Sequence, residues 1–137
     1  NALSLAAAKA TLSEVLTDEA YGRMVSLCDR FVAGVERVLA DGEVQWSIVQ
    51  LGARAELMFA AEPPRSGAAG AAASDGPLER VLHLFLLNRG VLITPFHNMA
   101  LMCPATTEAD VDRHTEVFSE LIDSLVAAHP RAAAPAR

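Results

Sequence analysis

The fold is decided by residues Gly90 to Phe118, whose sequence is GVLITPFHNMALMCPATTEADVDRHTEVF. Two short apolar runs, VLIT and MALMC, flank the turn Pro95 to Asn98, and they predict two strands. Two threonines follow, and then a run with the apolar spacing of a helix. Thr106 or Thr107 is expected to cap that helix, because its hydroxyl accepts a hydrogen bond from a free N–H group of the first turn.

The turn between the two runs is a candidate recognition site. Phe96, His97, Asn98 and Met99 offer stacking, hydrogen bonding and apolar contact on residues that flanking strands hold in place. The alternative is that proline and asparagine are present only for the geometry of the turn. The sequence leaves both interpretations open.

The remaining segments predict the architecture. Apolar residues at helical spacing indicate helices over residues 1–16, from Asp18 to Asp41 and from Leu78 to the vicinity of Gly90. Alternating residues predict two strands, one from Val44 to residue 51 and one over residues 54–59, joined at a glycine. Residues 60–77, rich in Ala, Gly and Pro, predict a mobile surface loop. The order predicts an α+β fold: a small antiparallel or mixed sheet of three to four strands, covered by helices and preceded by a long N-terminal helix.

Composition narrows the classes of function. The 137 residues have the length of one domain, and 17 acidic against 11 basic residues give a net charge of −6, which disfavours nucleic-acid binding. No uninterrupted apolar run approaches the roughly 20 residues that span a bilayer, so no membrane partner is expected. Cys28 and Cys103 lie in apolar segments and are expected to be buried, reduced thiols, which favours a cytoplasmic protein.

Arg54 is the candidate carboxylate-binding residue. It lies near the start of a strand beside a glycine-containing connection, where a guanidinium could be held rigidly enough to bind a carboxylate through two hydrogen bonds. The alternative is an ion pair with Glu56 or another nearby acid.

Other reactive side chains have simpler interpretations. Cys103 and His97 could form a nucleophile and its base, but a cysteine in an apolar strand is more often inert packing. His114 follows Asp110 by one helical turn and is expected to be solvated. Lys9, the only lysine, is expected on the surface, and the spacing of histidines and cysteines does not indicate a metal site.

The order and spacing of these segments resemble the C-terminal part of class III pyridoxal-phosphate-dependent aminotransferases, the group that includes glutamate-1-semialdehyde aminomutase. The resemblance begins at NALSLAAAKATLSEVL, with Ala2 in place of the usual proline, and extends to about Val126. In the deciding stretch the family pattern is carried by Gly90, Val91, Pro95, Ala100, Thr107, Asp110, Val111 and Asp112.

The resemblance implies a domain organisation. Residues 1–17 would be a helix that leads from a large cofactor domain outside this sequence, residues 18–128 the small C-terminal domain, and residues 129–137 a disordered tail. The chain would thus be a fragment of an enzyme that forms a homodimer and binds pyridoxal 5'-phosphate in the large domain. The family's Schiff-base lysine precedes this segment and Lys9 does not match its motif, so the chain alone is expected to be inactive and to bind no cofactor.

The resemblance also implies roles for residues. Arg54 would bind a substrate carboxylate, while Phe96, His97, Asn98 and Met99 would shape the substrate pocket. Met99 stands where the aminomutase has a glutamate, which favours an aminotransferase that moves an amino group between an amino acid or amine and a keto or aldehyde acceptor. A second hypothesis is a non-enzymatic interaction module that keeps the small-domain fold.

Overall fold

The computed structural model describes residues 1–94 and 97–128. The helices are α1 (Ala2–Ala10), α2 (Asp18–Asp41), α3 (Gly67–Ala72), α4 (Gly76–Leu87) and α5 (Glu108–Ala128), with a π-helical segment (Thr11–Val15) between α1 and α2. The strands β1 (Ser47–Leu51), β2 (Arg54–Met58) and β3 (Met99–Leu101) form one antiparallel sheet in the order β1-β2-β3. The predicted α+β class, with a small helix-covered sheet and an N-terminal helix, is confirmed.

The core lies between the sheet and the pair α2 and α5. Phe118, Leu121 and Ile122 of α5 are almost fully buried, as are Leu82 and Leu86 of α4. The sheet contributes Ala55, Leu57 and Ala100 to the same core. These three residues alternate with exposed or half-buried neighbours, so one sheet face is covered by helices and the other faces outward.

The two long helices approach closely at Gly34. A Cβ atom built on Gly34 would lie 2.5 Å from Thr115 Oγ1 and 3.2 Å from Thr115 Cγ2. The absence of a side chain at this position therefore allows α2 to pack directly against the Thr115 side chain of α5.

His114 is buried in this interface, and the expectation that it is solvated is wrong. Its ring centroid lies 4.4 Å from that of Phe31 and 5.7 Å from that of Phe118. His114 falls three residues after Val111 and four before Phe118, which places all three on one face of α5. The charged neighbours obscured this spacing. Burial lowers the pKa of His114 to about 4.

The predicted strand over residues 91–94 is absent. Val91 N–H donates to the carbonyl of Leu86 at the end of α4, directly after Gly90, which has φ +82°. Thr94 N–H donates to the carbonyl of Met99, so the segment meets β3 at its far end. Because its first residue is bonded back to the helix, the segment does not lie along β3 as a fourth strand.

The alanine-rich segment of residues 60–77 is not only a loop. It contains α3, whose N-cap Ser66 accepts a hydrogen bond from Ala69 N–H at 3.2 Å. Four of the six α3 residues are alanine, the residue with the highest helix propensity, which explains a helix that buries no residue. The start of α4 follows the prediction more closely, with Asp75 as its N-cap and Pro77 in its first turn.

The N-terminal segment buries none of its apolar side chains. Asn1 caps α1, and the large apolar residues of α1 and the π-helical segment are exposed: Leu3, Leu5, Leu12 and Val15. Within residues 1–94 and 97–128, no helix has the length and apolar character needed to cross a bilayer.

We expect Gly34→Ala and Gly22→Ala, both in α2, to change stability in opposite directions. Gly34→Ala forces Thr115 to shift and should lower the free energy of unfolding by about 1–3 kcal/mol. Nothing lies within 4 Å of a Cβ on Gly22, so Gly22→Ala should raise it by about 0.5–1 kcal/mol through helix propensity. Urea denaturation measures both values, and a loss of stability in both variants would contradict the close approach at Gly34.

We expect stability to fall between pH 7 and pH 5 because of His114. The unfolded state gains a proton below the ordinary pKa of 6.5, whereas the folded state resists it until about 4, so acid favours unfolding across this interval. The loss should be about 2 kcal/mol from pH 7 to pH 5, measured by urea denaturation. His114→Phe should remove this loss, and an equal loss in that variant would assign the pH dependence to other groups.

Candidate functional site

The outward face of the sheet gathers most of the candidate residues. The register aligns Leu51 with Arg54 and Arg54 with Leu101, and in the next outward row Val49, Glu56 and Met99 are paired. Arg54 and Glu56 share this face because they are two residues apart on β2. Burial of the intervening Ala55 holds both side chains away from the core.

Arg54 forms an ion pair with Glu56, as the alternative interpretation of the sequence predicted. Its Nη2 donates to Glu56 Oε2, and its Nε lies against the sulfur of Met99. The Arg54 side chain is 44% exposed and the Glu56 side chain 18% exposed, so Glu56 is the more enclosed partner. A guanidinium has five N–H donors in a planar fork, and this pairing involves Nη2 and Nε. The structure records no hydrogen bond from Nη1 to the described residues.

His97 also lies beside the Glu56 carboxylate. Its Nδ1 lies 3.7 Å from Glu56 Oε1, on the oxygen opposite to the one bound by Arg54. Arg54, His97 and Met99 are therefore brought together around Glu56. The sequence indicates Glu56 only as a partner of Arg54, and its contact with His97 depends on the position of His97 beside β2.

The other turn residues are placed differently. Asn98 adopts φ 43°, a left-handed conformation that asparagine tolerates well, and its carbonyl accepts a hydrogen bond from Leu57 N–H. Asn98 also lines a small internal cavity beside core residues such as Leu57. Phe96 lies outside the described residues.

Cys103 is exposed, so its predicted burial is wrong, whereas Cys28 is buried as expected. The strand β3 ends at Leu101, and Cys103 belongs to the loop before α5. Cys103 and His97 therefore lie beyond opposite ends of β3, and the structure does not arrange them as a nucleophile and its base. The Thr106 hydroxyl donates to Cys103 Sγ at 3.4 Å, and this hydrogen bond lowers the pKa of the Cys103 thiol.

Lys9 is on the exposed surface of α1. A lysine that forms a Schiff base is normally activated by desolvation or by a neighbouring cation. Lys9 has an exposed position on a helix without buried residues, so it does not fit a cofactor-binding role. The described residues thus bring Arg54, His97 and Met99 together around Glu56 on the outward sheet face.

Comparison with known proteins identifies relatives that are longer than this chain. No known family profile matches it. β-Phenylalanine transaminase from Variovorax paradoxus is 29% identical over 132 residues, which cover 96% of this chain and 30% of the relative. The chain therefore spans less than a third of the length of this relative.

Solved structures give a closer match. Two crystal structures of glutamate-1-semialdehyde aminomutase from Pseudomonas aeruginosa PAO1, one in complex with PMP, are 46% identical with a TM-score of 0.89. The match covers 91% of this chain and 28% of theirs. The β-phenylalanine aminotransferase structure from Variovorax paradoxus is 25% identical with a TM-score of 0.73, and the match covers 88% of this chain and 27% of that protein.

We expect the two cysteines to react very differently with iodoacetamide. Cys103 is exposed with a lowered pKa, whereas burial raises the pKa of Cys28 to about 11. Mass spectrometry at pH 8 should detect one added carbamidomethyl group on the native chain and two after denaturation. Cys103→Ser should abolish the native modification, and modification of Cys28 at a similar rate would contradict its enclosure.

Proposed function

We infer that this chain, which corresponds in sequence and fold to the small domain of class III pyridoxal-phosphate-dependent aminotransferases, acts as the substrate-recognition part of such an enzyme. The observation that carries this proposal is the match to glutamate-1-semialdehyde aminomutase, at 46% identity over 91% of the chain. The reaction would transfer an amino group between an amino acid or amine and a keto or aldehyde acceptor. The pyridoxal phosphate would be held by a large domain, and the full enzyme would be a homodimer.

The role of this chain follows from its own residues. When bound, pyridoxal phosphate supplies the electron sink for amino-group transfer. Lys9 is exposed and does not fit that group, so the contribution of this chain is to bind and orient substrate. Arg54 supplies charged donors for a substrate carboxylate, and Met99 contributes an apolar surface beside them. His97 adds a hydrogen-bonding ring next to the anchoring carboxylate of Glu56.

The position of Arg54 supports this role. A carboxylate that binds Arg54 would accept charge-assisted hydrogen bonds from the planar guanidinium, which are more directional than a contact with lysine. The side chain is already ordered by Glu56 and Met99, so less rotamer entropy is lost when substrate binds. Phe96 and Asn98 remain proposed contributors to the pocket from the same turn.

Arg54→Ala, tested in the enzyme assembled with its cofactor domain, should raise KM selectively for substrates that carry a carboxylate. The expected increase is about 10- to 100-fold, which corresponds to the loss of a charge-assisted hydrogen-bonded pair. Steady-state kinetics with an amino acid and with its decarboxylated amine separate this effect from a general one. Arg80→Ala, which removes an exposed arginine from α4, is the matched control and should leave both KM values unchanged. Equal increases for the amino acid and the amine in Arg54→Ala would contradict the carboxylate-binding role.

The second candidate function is a non-enzymatic interaction module, and the N-terminal helix provides the test. Leu3, Leu5 and Leu12 are 80%, 72% and 68% exposed, an apolar surface that a large domain would cover. If the chain belongs to a larger enzyme, the isolated chain should self-associate, and replacing these three leucines by Gln should restore a monomer in sedimentation experiments. A chain that is monodisperse without these replacements would favour the interaction module.

A further inference from the structure

A cavity of about 350 Å³ opens on the flank of the core. It lies between residues 90–93, the end of β3 and the first turns of α5. Its lining includes Ala100, whose side chain is on the helix-covered face of the sheet. Arg54, Glu56 and His97 are not among the lining residues.

The cavity exists because the segment over residues 91–94 does not pair along β3. The outer edge of β3 bonds to this segment at Met99, whose carbonyl accepts from Thr94 N–H. Met102 N–H points the other way, towards the carbonyl of Ala53. Alternation along an antiparallel strand therefore directs the peptide groups of Leu101 towards the gap. The gap has a polar backbone edge on one side, and its other sides combine apolar side chains with those of Thr106, Asp110, Arg113 and His114.

His114 forms part of the inner wall. His114 is only 7% exposed, and its Nδ1 has no hydrogen-bond partner among the described residues. Nδ1 itself is fully enclosed, so a molecule in the cavity would reach it only after the imidazole ring turns. That contact would recover part of the cost of about 1–3 kcal/mol that a buried polar atom without a partner carries. Since burial lowers the pKa of His114 to about 4, the ring is neutral near pH 7 and has one donor and one acceptor nitrogen.

The remaining lining indicates what kind of molecule fits. Val91, Ile93 and Met102 provide apolar walls, and Phe31 adds an aromatic surface next to His114. Asp110 and Arg113 contribute one charge of each sign, so the lining favours no net charge on a ligand. An apolar cavity of about 150 Å³ binds benzene in another protein, so this larger space accommodates a substituted or bicyclic ring.

We propose that this cavity binds a small, neutral aromatic molecule that carries one hydroxyl or N–H group, with the His114 ring as its hydrogen-bonding partner. The apolar walls hold the ring of the ligand, and the polar group is directed towards the imidazole. The cavity is not lined by Arg54, Glu56, His97 or Met99, so this proposal does not depend on their proposed role in substrate recognition.

Cys103 provides a reporter at the same cavity. Its side chain is exposed and lines the site, while Cys28 is buried and does not interfere. The experiment measures the rate at which iodoacetamide modifies Cys103 in the complete 137-residue chain, as a function of indole concentration. Indole should slow the modification in a saturable way with a Kd below about 1 mM, in the range of weak small-ligand binding. Toluene, which lacks the N–H group, should bind about tenfold more weakly.

Two histidine variants test the role of the imidazole. His114→Phe keeps an aromatic ring between Phe31 and Phe118 but removes both nitrogens, and it should weaken indole binding about fivefold or more without weakening toluene. His83→Phe is the matched control, because His83 Nδ1 also lacks a partner in the described residues but His83 does not line the cavity. It should leave both affinities unchanged.

A third variant tests the cavity without altering the core. Ala105 is an exposed lining residue of the loop, so Ala105→Leu should obstruct the space and abolish protection by indole. Failure of indole to protect Cys103 in the unaltered chain would overturn the proposal. In that case the partner of the imidazole would be a water molecule. The neighbouring cavity of about 10 Å³, which His114 and Asn98 both line, has room for one. The proposal would also be overturned if indole and toluene protected Cys103 equally and this protection were the same in His114→Phe.

Discussion

The close packing of α2 against α5 is the constraint on which the rest of the structure depends. Gly34 allows the two helices to approach, and His114 fills the interface between Phe31 and Phe118. A neutral ring is accommodated there because its apolar faces contact other rings, although one nitrogen is left without a partner in the described chain. The sheet then packs on this helix pair through Ala55, Leu57 and Ala100.

This packing also determines where the polar residues of the candidate site lie. Side chains alternate along a strand, so burial of Ala55 and Leu57 requires Arg54 and Glu56 to face outward. A register shift of one residue would turn both charges into the core, which is prohibitively costly for an incompletely compensated ion pair. The hydrophobic core and the surface that carries Arg54 and Glu56 thus lie on opposite faces of the sheet, and one register fixes both. The fold as a whole matches that of glutamate-1-semialdehyde aminomutase over 91% of this chain, with a TM-score of 0.89.

Much of this fold could be predicted from local patterns in the sequence. The long apolar stripe of α2 and the alternation in β2 are strong signals, and both elements lie where they were expected. The signals failed where a local preference competed with a tertiary contact. Residues 91–94 have the composition of a strand, but Val91 N–H donates to the carbonyl of Leu86 at the end of α4. This bond holds the start of the segment at the helix, so the segment does not form a strand. The charged neighbours of His114 predict a solvated side chain, whereas its helical spacing from Val111 and Phe118 places it on the buried face of α5. Around the candidate site, sequence proximity predicts the pair of Arg54 and Glu56, whereas the approach of His97 requires a turn more than 40 residues away to fold back beside β2.

The π-helical segment between α1 and α2 has a geometric consequence. A π-helix bonds each residue to the fifth along the chain, so it takes more residues to complete a turn than an α-helix does. Side chains beyond Thr11 are therefore rotated relative to the positions that an uninterrupted α-helix would give them. Leu5 and Leu12, seven residues apart, would otherwise project from nearly the same side. The apolar side chains before and after Thr11 therefore lie on faces that are rotated relative to each other, and they do not form one straight stripe along the helix axis.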